Sequence, residues 1–150
     1  MNAEQLQKTL RASQYAEQVL GLHQAVLEQD YQIDQFAAPL STEQIYQLVD
    51  ITLDGIGDEI TWMRALRILR SRLMFRWIWQ DANQLTDVVT LTRELSDFAD
   101  ASICRRKGFL LVLHWFAKHG EPLSYSGKVQ DLIVVLPWGK LRGTGIKSIK

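Results

Sequence analysis

Apolar residues recur every three or four positions from the start of the chain to about Gly120, a spacing that predicts helices with one buried face. The first stripe of such residues runs from Leu6 to Leu20. Gly21 is expected to end or bend this helix, and a polar segment from Asp30 to Pro39 is expected to follow it.

Three further helical patterns follow along the chain. Ser41 and Gln44 have the spacing of a capping box, which predicts the start of a short helix carrying Ile45 to Leu53. A long amphipathic helix is predicted over 58–80, and another over 86–117. The apolar positions of the first long helix are Ile60, Met63, Leu66, Leu69, Leu73 and Ile78. Those of the second are Val89, Leu91, Leu95, Phe98, Ala99 and Ser102.

The pattern changes after Gly120. Residues 121–127 have the composition of a loop, and Leu132 to Leu136 form a short apolar run rich in β-branched residues, which is typical of a buried strand. The predicted fold is therefore mainly α: a helical region over 1–120, followed by a loop, strand and turn over 121–141.

Composition narrows the class of protein. The 150 residues are 47% apolar and 23% charged, as in a globular domain of ordinary size. Seventeen basic residues balance seventeen acidic ones, so no bulk charge draws the chain to nucleic acid or to anionic lipid. The single cysteine, Cys104, cannot form an internal disulfide, and no apolar run is long enough to span a bilayer. We therefore expect a cytoplasmic protein.

The turn after the predicted strand is the first candidate for chemistry. Gly139 and Lys140 follow the apolar run directly, where a glycine lets backbone N–H groups approach an anion closely. The complete phosphate-loop pattern is absent. These two residues are candidate nucleotide contacts, and an ordinary basic turn is the competing interpretation.

The predicted helix 58–80 concentrates positive charge beside three tryptophans. These arginines could bind an acidic partner, or they could lie on the solvated side and pair with Glu59, Asp81 or carboxylates of a neighbouring helix. Trp62, Trp77 and Trp79 are expected to anchor the core. The arginines are Arg64, Arg67, Arg70, Arg72 and Arg76. No spacing of histidine, serine or carboxylate residues indicates a metal site or a catalytic triad.

Four segments together resemble a known family. They are Met63 to Arg67, Thr92 to Asp100, Gly120 to Pro122 and Leu132 to Leu141. They are similar to the N-terminal part of glutamine synthetase adenylyltransferase, a bifunctional bacterial enzyme that adds AMP to a tyrosine of glutamine synthetase and removes it. In that family an arginine-rich helical region leads into a strand and a turn of the pattern Leu-Gly-Met-Gly-Lys-Leu-Gly-Gly.

The resemblance implies which cofactors and partners the family uses and which residues of this chain match its turn. It implies ATP or ADP and Mg²⁺ as cofactors, and glutamine synthetase and a nitrogen-signalling regulatory protein as partners. The position of the turn in the chain matches the first of the family's two nucleotidyltransferase units, the AMP-removing half. Gly139 and Lys140 match the family's turn, whereas Pro137 and Arg142 stand where the family has glycine.

The family's metal-binding Asp-x-Asp pair has no counterpart, because no Asp or Glu follows Asp131. We therefore expect an inactive, truncated fragment that binds none of these cofactors. A one-base insertion at the Leu141 codon would account for both Arg142 and the missing carboxylates, and it predicts that residues 142–150 form a disordered, out-of-frame tail. An unpaired strand at 132–136 also predicts a marginally stable, aggregation-prone chain.

Two other functions compete with this interpretation. The chain could be a non-enzymatic helical module that binds an acidic partner through its arginine helix. Nucleic-acid binding is disfavoured by the zero net charge and by the absence of a recognised binding motif.

Overall fold

A computed structural model describes the backbone of residues 1–110 and the side chains of residues 1–105. This part of the chain is helical and contains no β-strand, as its apolar spacing predicts. Its helices are α1 (Ala3–Ala12), α2 (Gln14–Asp34), α3 (Thr42–Leu53), α4 (Glu59–Ala82) and α5 (Val88–Leu110). A compact unit is formed by Met1–Phe98. The strand expected at 132–136, the turn with Gly139 and Lys140, and the tail expected at 142–150 lie outside the described residues and stay predictions.

Polar side chains define where the helices begin. The capping box predicted at the start of α3 is confirmed: Ser41 Oγ accepts the Gln44 backbone N–H at 3.2 Å, and Gln44 Oε1 accepts the Ser41 N–H at 2.8 Å. Asp58 caps α4 by accepting the backbone N–H of Thr61, and Asp87 accepts that of Thr90 at the start of α5.

The first helical pattern is interrupted at Ser13 and not at Gly21, where its end or bend was predicted. Ser13 has extended backbone angles, φ −151° and ψ 115°, and its hydroxyl caps α2 by accepting the Ala16 N–H, so the stripe is divided into α1 and α2. Gly21 lies inside α2, and the kink falls at His23, with φ −133° and ψ 26°. A glycine costs a helix only about 1 kcal/mol, which packing on both sides of it can offset.

The polar segment predicted over 30–39 is wrong for its first half, since α2 continues to Asp34. Asp30 and Asp34 lie within the helix, where each pairs with an arginine of α4. Their polar character therefore does not mark the end of the helix. The helix ends at Gln35, which has the left-handed angles φ 54° and ψ 16° that commonly terminate helices.

Helix α4 is the centre of the unit, because α1, α2 and α3 all pack on it. The prediction of an amphipathic helix fails for its C-terminal half, where neighbours cover several sides and even Arg76 and Gln80 are buried. One side of its N-terminal half remains exposed to solvent, and Ile60, predicted to be on the buried stripe, is 76% exposed. The tryptophans are core anchors as predicted, since Trp62, Trp77 and Trp79 are all buried.

Aromatic rings form the main cluster of the core. Phe36, from the connection after α2, meets Tyr31, Phe75 and Trp79 at centroid distances of 5.6, 6.2 and 6.0 Å in edge-to-face arrangements. Such contacts add about 0.5–1.5 kcal/mol per pair beyond the burial of the rings. The cluster therefore fixes both the end of α2 and its connection to α3 against α4.

The buried side of α5 also differs from the predicted stripe. Phe98 is buried as predicted, but Val89 and Leu95 are 70% and 47% exposed, and Glu94 is buried instead. A glutamate takes the place of an apolar residue on the buried side because its carboxylate finds several hydrogen-bond donors there.

Candidate functional site

The nucleotide contacts predicted from the sequence, Gly139 and Lys140, lie outside the described residues. In the part of the chain that the structure describes, no three His, Cys, Asp or Glu side chains gather as metal ligands. Across the same part, none of the helices is long and apolar enough to cross a membrane. The polar groups that do converge are those of α4, of α5 and of the connector between α2 and α3, residues 35–41.

Two of the five arginines of α4 pair with carboxylates on α2. Arg72 donates through Nε and Nη2 to both oxygens of Asp30, at 2.8 and 2.7 Å, in the bidentate geometry that guanidinium favours. Arg76 pairs with Asp34 and also donates to the carbonyl of Ala38. For these two, pairing with a neighbouring helix was the correct interpretation, although the partners are not Glu59 or Asp81.

The other three arginines lie on a different side of α4. Arg64, Arg67 and Arg70 are exposed. Arg67 is two positions from the buried Leu69, which places it roughly 200° around the helix axis at about 100° per residue. The positive charge of α4 is therefore divided between neutralised arginines facing α2 and solvated ones facing away.

The connector 35–41 is held by side chains from both α4 and α5. It begins with two non-glycine residues in left-handed conformation, Gln35 and Phe36, at φ 54° and 53°. Gln80 Nε2 donates to the carbonyls of Phe36 and Ala38, each at 3.1 Å. Strained residues of this kind persist only where the surroundings hold them, and here buried hydrogen bonds and the aromatic cluster do so.

Helix α5 forms hydrogen bonds with the last part of the same connector. The fully buried carboxylate of Glu94 accepts the Leu40 N–H at 3.1 Å, and Arg93 Nη2 donates to the Leu40 carbonyl at 2.8 Å. One turn further, Asp97 accepts the hydroxyl of Thr42 at 2.8 Å. Both backbone groups of Leu40 are thus satisfied by neighbouring side chains of α5, which fixes where α3 begins.

These contacts involve one of the four segments that resemble the known family, and they show what that segment binds in this structure. Arg93, Glu94 and Asp97 belong to the segment Thr92 to Asp100, and all three bind the chain entering α3. This role was not predicted from the sequence. A signal was present, because Glu94 stands three positions after Leu91 and four before Phe98, on an apolar stripe where a charge requires partners.

An apolar groove lies beside this network. Its floor is α4 and its walls are α2 and α3, which in the described unit do not pack against each other. The groove has a volume of about 360 Å³. Leu69 and Leu73 belong to its floor, while Ile33 on one wall and Ile51 on the other are 77% and 75% exposed. The described residues that line the groove include no grouping of acid, base and nucleophile.

Comparison with known proteins identifies the family. The family model for glutamate-ammonia ligase adenylyltransferase matches residues 3–147. A bifunctional glutamine synthetase adenylyltransferase/adenylyl-removing enzyme of Acinetobacter baylyi is 71% identical over 135 residues, which are 90% of this chain and 14% of that protein. Proteins of the same name from Hahella chejuensis and Thioalkalivibrio sulfidiphilus are 37% and 34% identical over 76% and 71% of this chain. None of the solved structures matches it.

The chain thus spans only 14% of the length of the Acinetobacter protein and 11% of each of the other two. The family match nevertheless covers nearly all of the chain, including the helices described above and the segment with Gly139 and Lys140. The chain therefore belongs to the glutamate-ammonia ligase adenylyltransferase family.

Proposed function

We propose that this chain is the helical part that precedes the AMP-removing unit in an enzyme that adenylylates and deadenylylates glutamine synthetase. The observation that carries the proposal is the 71% identity, over 90% of the chain, to a protein named for both activities. In this proposal the helices position the first nucleotidyltransferase unit, and that unit begins with the strand predicted at 132–136 and the turn predicted at Gly139 and Lys140.

The proposed role is structural support, not catalysis by these 150 residues. The contacts of Arg93 and Glu94 to Leu40, and of Asp97 to Thr42, support it, because they fix α5 to the chain that enters α3. Mg²⁺ and ATP or ADP belong, in this proposal, to the longer enzyme, which would use the metal to neutralise phosphate charge. The proposed partners of that enzyme are glutamine synthetase and a nitrogen-signalling regulatory protein.

A chimaera tests the supporting role directly. The matching 135 residues of the Acinetobacter protein are replaced by those of this chain, and release of AMP from adenylylated glutamine synthetase is measured with phosphate and Mg²⁺. We expect activity close to that of the parent enzyme. The matched variant carries Glu94→Ala in the transplanted segment and should lose activity together with thermal stability. A stable chimaera that cannot remove AMP would contradict the proposal.

The isolated chain provides the complementary test. Purified 150-residue protein should neither transfer AMP from ATP to glutamine synthetase nor release it with phosphate, in Mg²⁺ or in Mn²⁺. Turnover that follows the protein through purification and survives Lys140→Ala would show that the proposed division of roles is wrong.

A further inference from the structure

Three arginines on the solvated side of α4 have no carboxylate partner among the described residues. Arg64, Arg67 and Arg70 are exposed, and the ion pairs of α4 in the described part of the chain are those of Arg72 and Arg76. Helix α4 itself offers no partner, because no Asp or Glu occurs between residues 60 and 80. Each of the three therefore lacks a carboxylate three or four positions away, where helix surface pairs form.

The spacing of these arginines works against the helix. Arg64, Arg67 and Arg70 follow one another at intervals of three residues, so that neighbouring side chains lie on adjacent turns of one side of α4. Like charges on adjacent turns are mildly destabilising. The three arginines thus form no ion pair within the described unit, and a favourable charge interaction for them requires an anion from outside it.

Apolar side chains lie beside the arginines. Ile60, Met63, Arg64 and Arg67 line a depression of about 340 Å³ on the surface of α4. Ile60 is 76% exposed, and the flexible thioether of a methionine adapts to the shape of a partner. Glu59 also lines the depression and takes part in another interaction, so two arginines face one carboxylate there and the lining remains positive.

The contact between α2 and α4 shows what binds arginines of this helix. Asp30 and Asp34 are four positions apart on α2, and they bind Arg72 and Arg76, which are four positions apart on α4. Arg72 donates to both oxygens of Asp30, the fork geometry in which guanidinium matches a carboxylate. A helix with carboxylates one turn apart is therefore a suitable partner for arginines one turn apart.

From these observations we propose that the side of α4 with Arg64, Arg67 and Arg70 binds an acidic amphipathic helix of a partner polypeptide. Carboxylates three or four positions apart on that helix bind the arginines, and an apolar residue beside them packs on Ile60 and Met63. Arginine and methionine are enriched at protein interfaces, whereas a chain of zero net charge has no long-range attraction for a phosphate backbone. This binding is additional to the supporting role proposed above, and its test involves no catalysis.

The test uses the full 150-residue chain and a synthetic peptide of about 18 residues, with leucines at helical spacing and glutamates on the flanks. A twin peptide has lysine in place of each glutamate, and a third has the acidic composition scrambled so that no apolar face exists. Fluorescence anisotropy should give an affinity at least about tenfold higher for the acidic peptide than for either of the others. The affinity should fall as salt is added, because exposed ion pairs are screened.

Spectra of isoleucine methyl groups locate the bound peptide without any substitution. The methyl signals of Ile60 should shift when the acidic peptide is added, because this side chain lines the depression beside the arginines. Those of Ile33 and Ile51 should not, although both side chains are as exposed as Ile60. Exposure alone therefore does not produce the expected result.

Charge-matched variants test the arginines. Arg64→Gln with Arg67→Gln should weaken binding at least about tenfold, because it removes two charges from the proposed surface. Lys8→Gln with Arg11→Gln removes two exposed charges from α1 and should change the affinity by less than about twofold. Glutamine is a good helix former, so the circular dichroism spectrum should be unchanged in both variants. Arg64→Glu with Arg67→Glu should reverse the preference towards the lysine twin.

Four results would overturn the proposal. The first is equal binding of the acidic peptide and its lysine twin, and the second is the same loss of affinity in both charge-matched variants. The third is a methyl shift at Ile33 and Ile51 in place of Ile60. The fourth is tighter binding of a DNA duplex of similar length than of the acidic peptide, because the surface would then be a nucleic-acid site.

Discussion

The carboxylate of Glu94 accepts the indole N–H of Trp77 at 2.9 Å, and both side chains lie inside the protein. The other carboxylate oxygen accepts the backbone N–H of Leu40 at 3.1 Å. One acidic side chain of α5 therefore binds α4 and the connector before α3 at once. A buried charge is tolerated here because hydrogen-bond donors surround it, and removing it would leave those donors without acceptors.

Replacing Glu94 with alanine is expected to destabilise the protein by about 2–6 kcal/mol, since the buried indole N–H of Trp77 and the partly buried N–H of Leu40 lose their acceptor at a cost of about 1–3 kcal/mol each. Glutamine should cost less than alanine, because its amide retains one acceptor oxygen for one of the two donors. Urea unfolding followed by tryptophan fluorescence measures the differences. Glu43→Ala, an exposed glutamate at the start of α3, is the control and should change stability by less than about 0.5 kcal/mol. Equal effects at the two positions would contradict the structural role of Glu94.

Arg76 should not be replaceable by lysine. Its guanidinium binds Asp34 and the Ala38 carbonyl simultaneously while only 6% of the residue is exposed. A lysine ammonium on a flexible stem cannot reproduce this fork, so Arg76→Lys is expected to cost about 1–3 kcal/mol. The matched change Arg70→Lys, on the solvated side of α4, should be nearly neutral. A shift of the urea midpoint by the same amount in both variants would rule out this explanation.

The left-handed end of α2 offers a stabilising substitution. Gln35 has φ 54°, and its side chain is exposed, so Gln35→Gly removes backbone strain without losing a buried contact. We expect a gain of about 0.5–1 kcal/mol, measured by thermal unfolding. The same change three residues earlier, Gln32→Gly, falls inside the helix and should destabilise by about 1 kcal/mol. Destabilisation by Gln35→Gly would mean that the side chain of Gln35 contributes more than its exposure indicates.

The sequence predicted the features that depend on local spacing. The capping box at Ser41 and Gln44 needs only neighbouring residues to form, and it is present as predicted. The helical nature of the chain up to Leu110 followed in the same way from apolar periodicity. Family membership rested on several short segments taken together, and the comparisons confirm it.

The sequence could not show features that depend on which helices meet. Asp30 and Asp34 suggested a polar loop because their partners, Arg72 and Arg76, are 42 residues away along the chain. Val89 and Leu95 suggested a buried stripe, but α5 is rotated so that Glu94 faces inward. The groove between α2 and α3 is likewise a product of how both helices rest on α4, and no motif marks it.

The two aspartate caps predict how stability depends on pH. The pKa of Asp58 lies below its ordinary value of 3.8, chiefly because its carboxylate accepts the backbone N–H of Thr61. The pKa of Asp87 is lowered from 3.8 in the same way by the backbone N–H of Thr90. A carboxyl whose pKa is lower in the folded state stabilises that state fully above its unfolded pKa, and this contribution disappears as the pH falls through the folded value.

Replacing both aspartates by asparagine separates the titration of the caps from capping itself, because asparagine also accepts the N–H at a helix start but does not ionise. Thermal unfolding is measured for both proteins from about pH 7 to about pH 2. Near neutral pH the wild type should be the more stable, since the charged caps also interact favourably with the helix dipoles. This advantage should shrink below about pH 4 and vanish at the acid end of the series, because protonated aspartate has lost the charge that the N–H groups favour. Other carboxylates titrate equally in both proteins, so the difference between the two curves isolates Asp58 and Asp87. Parallel curves over the whole range would contradict the assignment, since they would require that neither cap changes its charge interaction on folding.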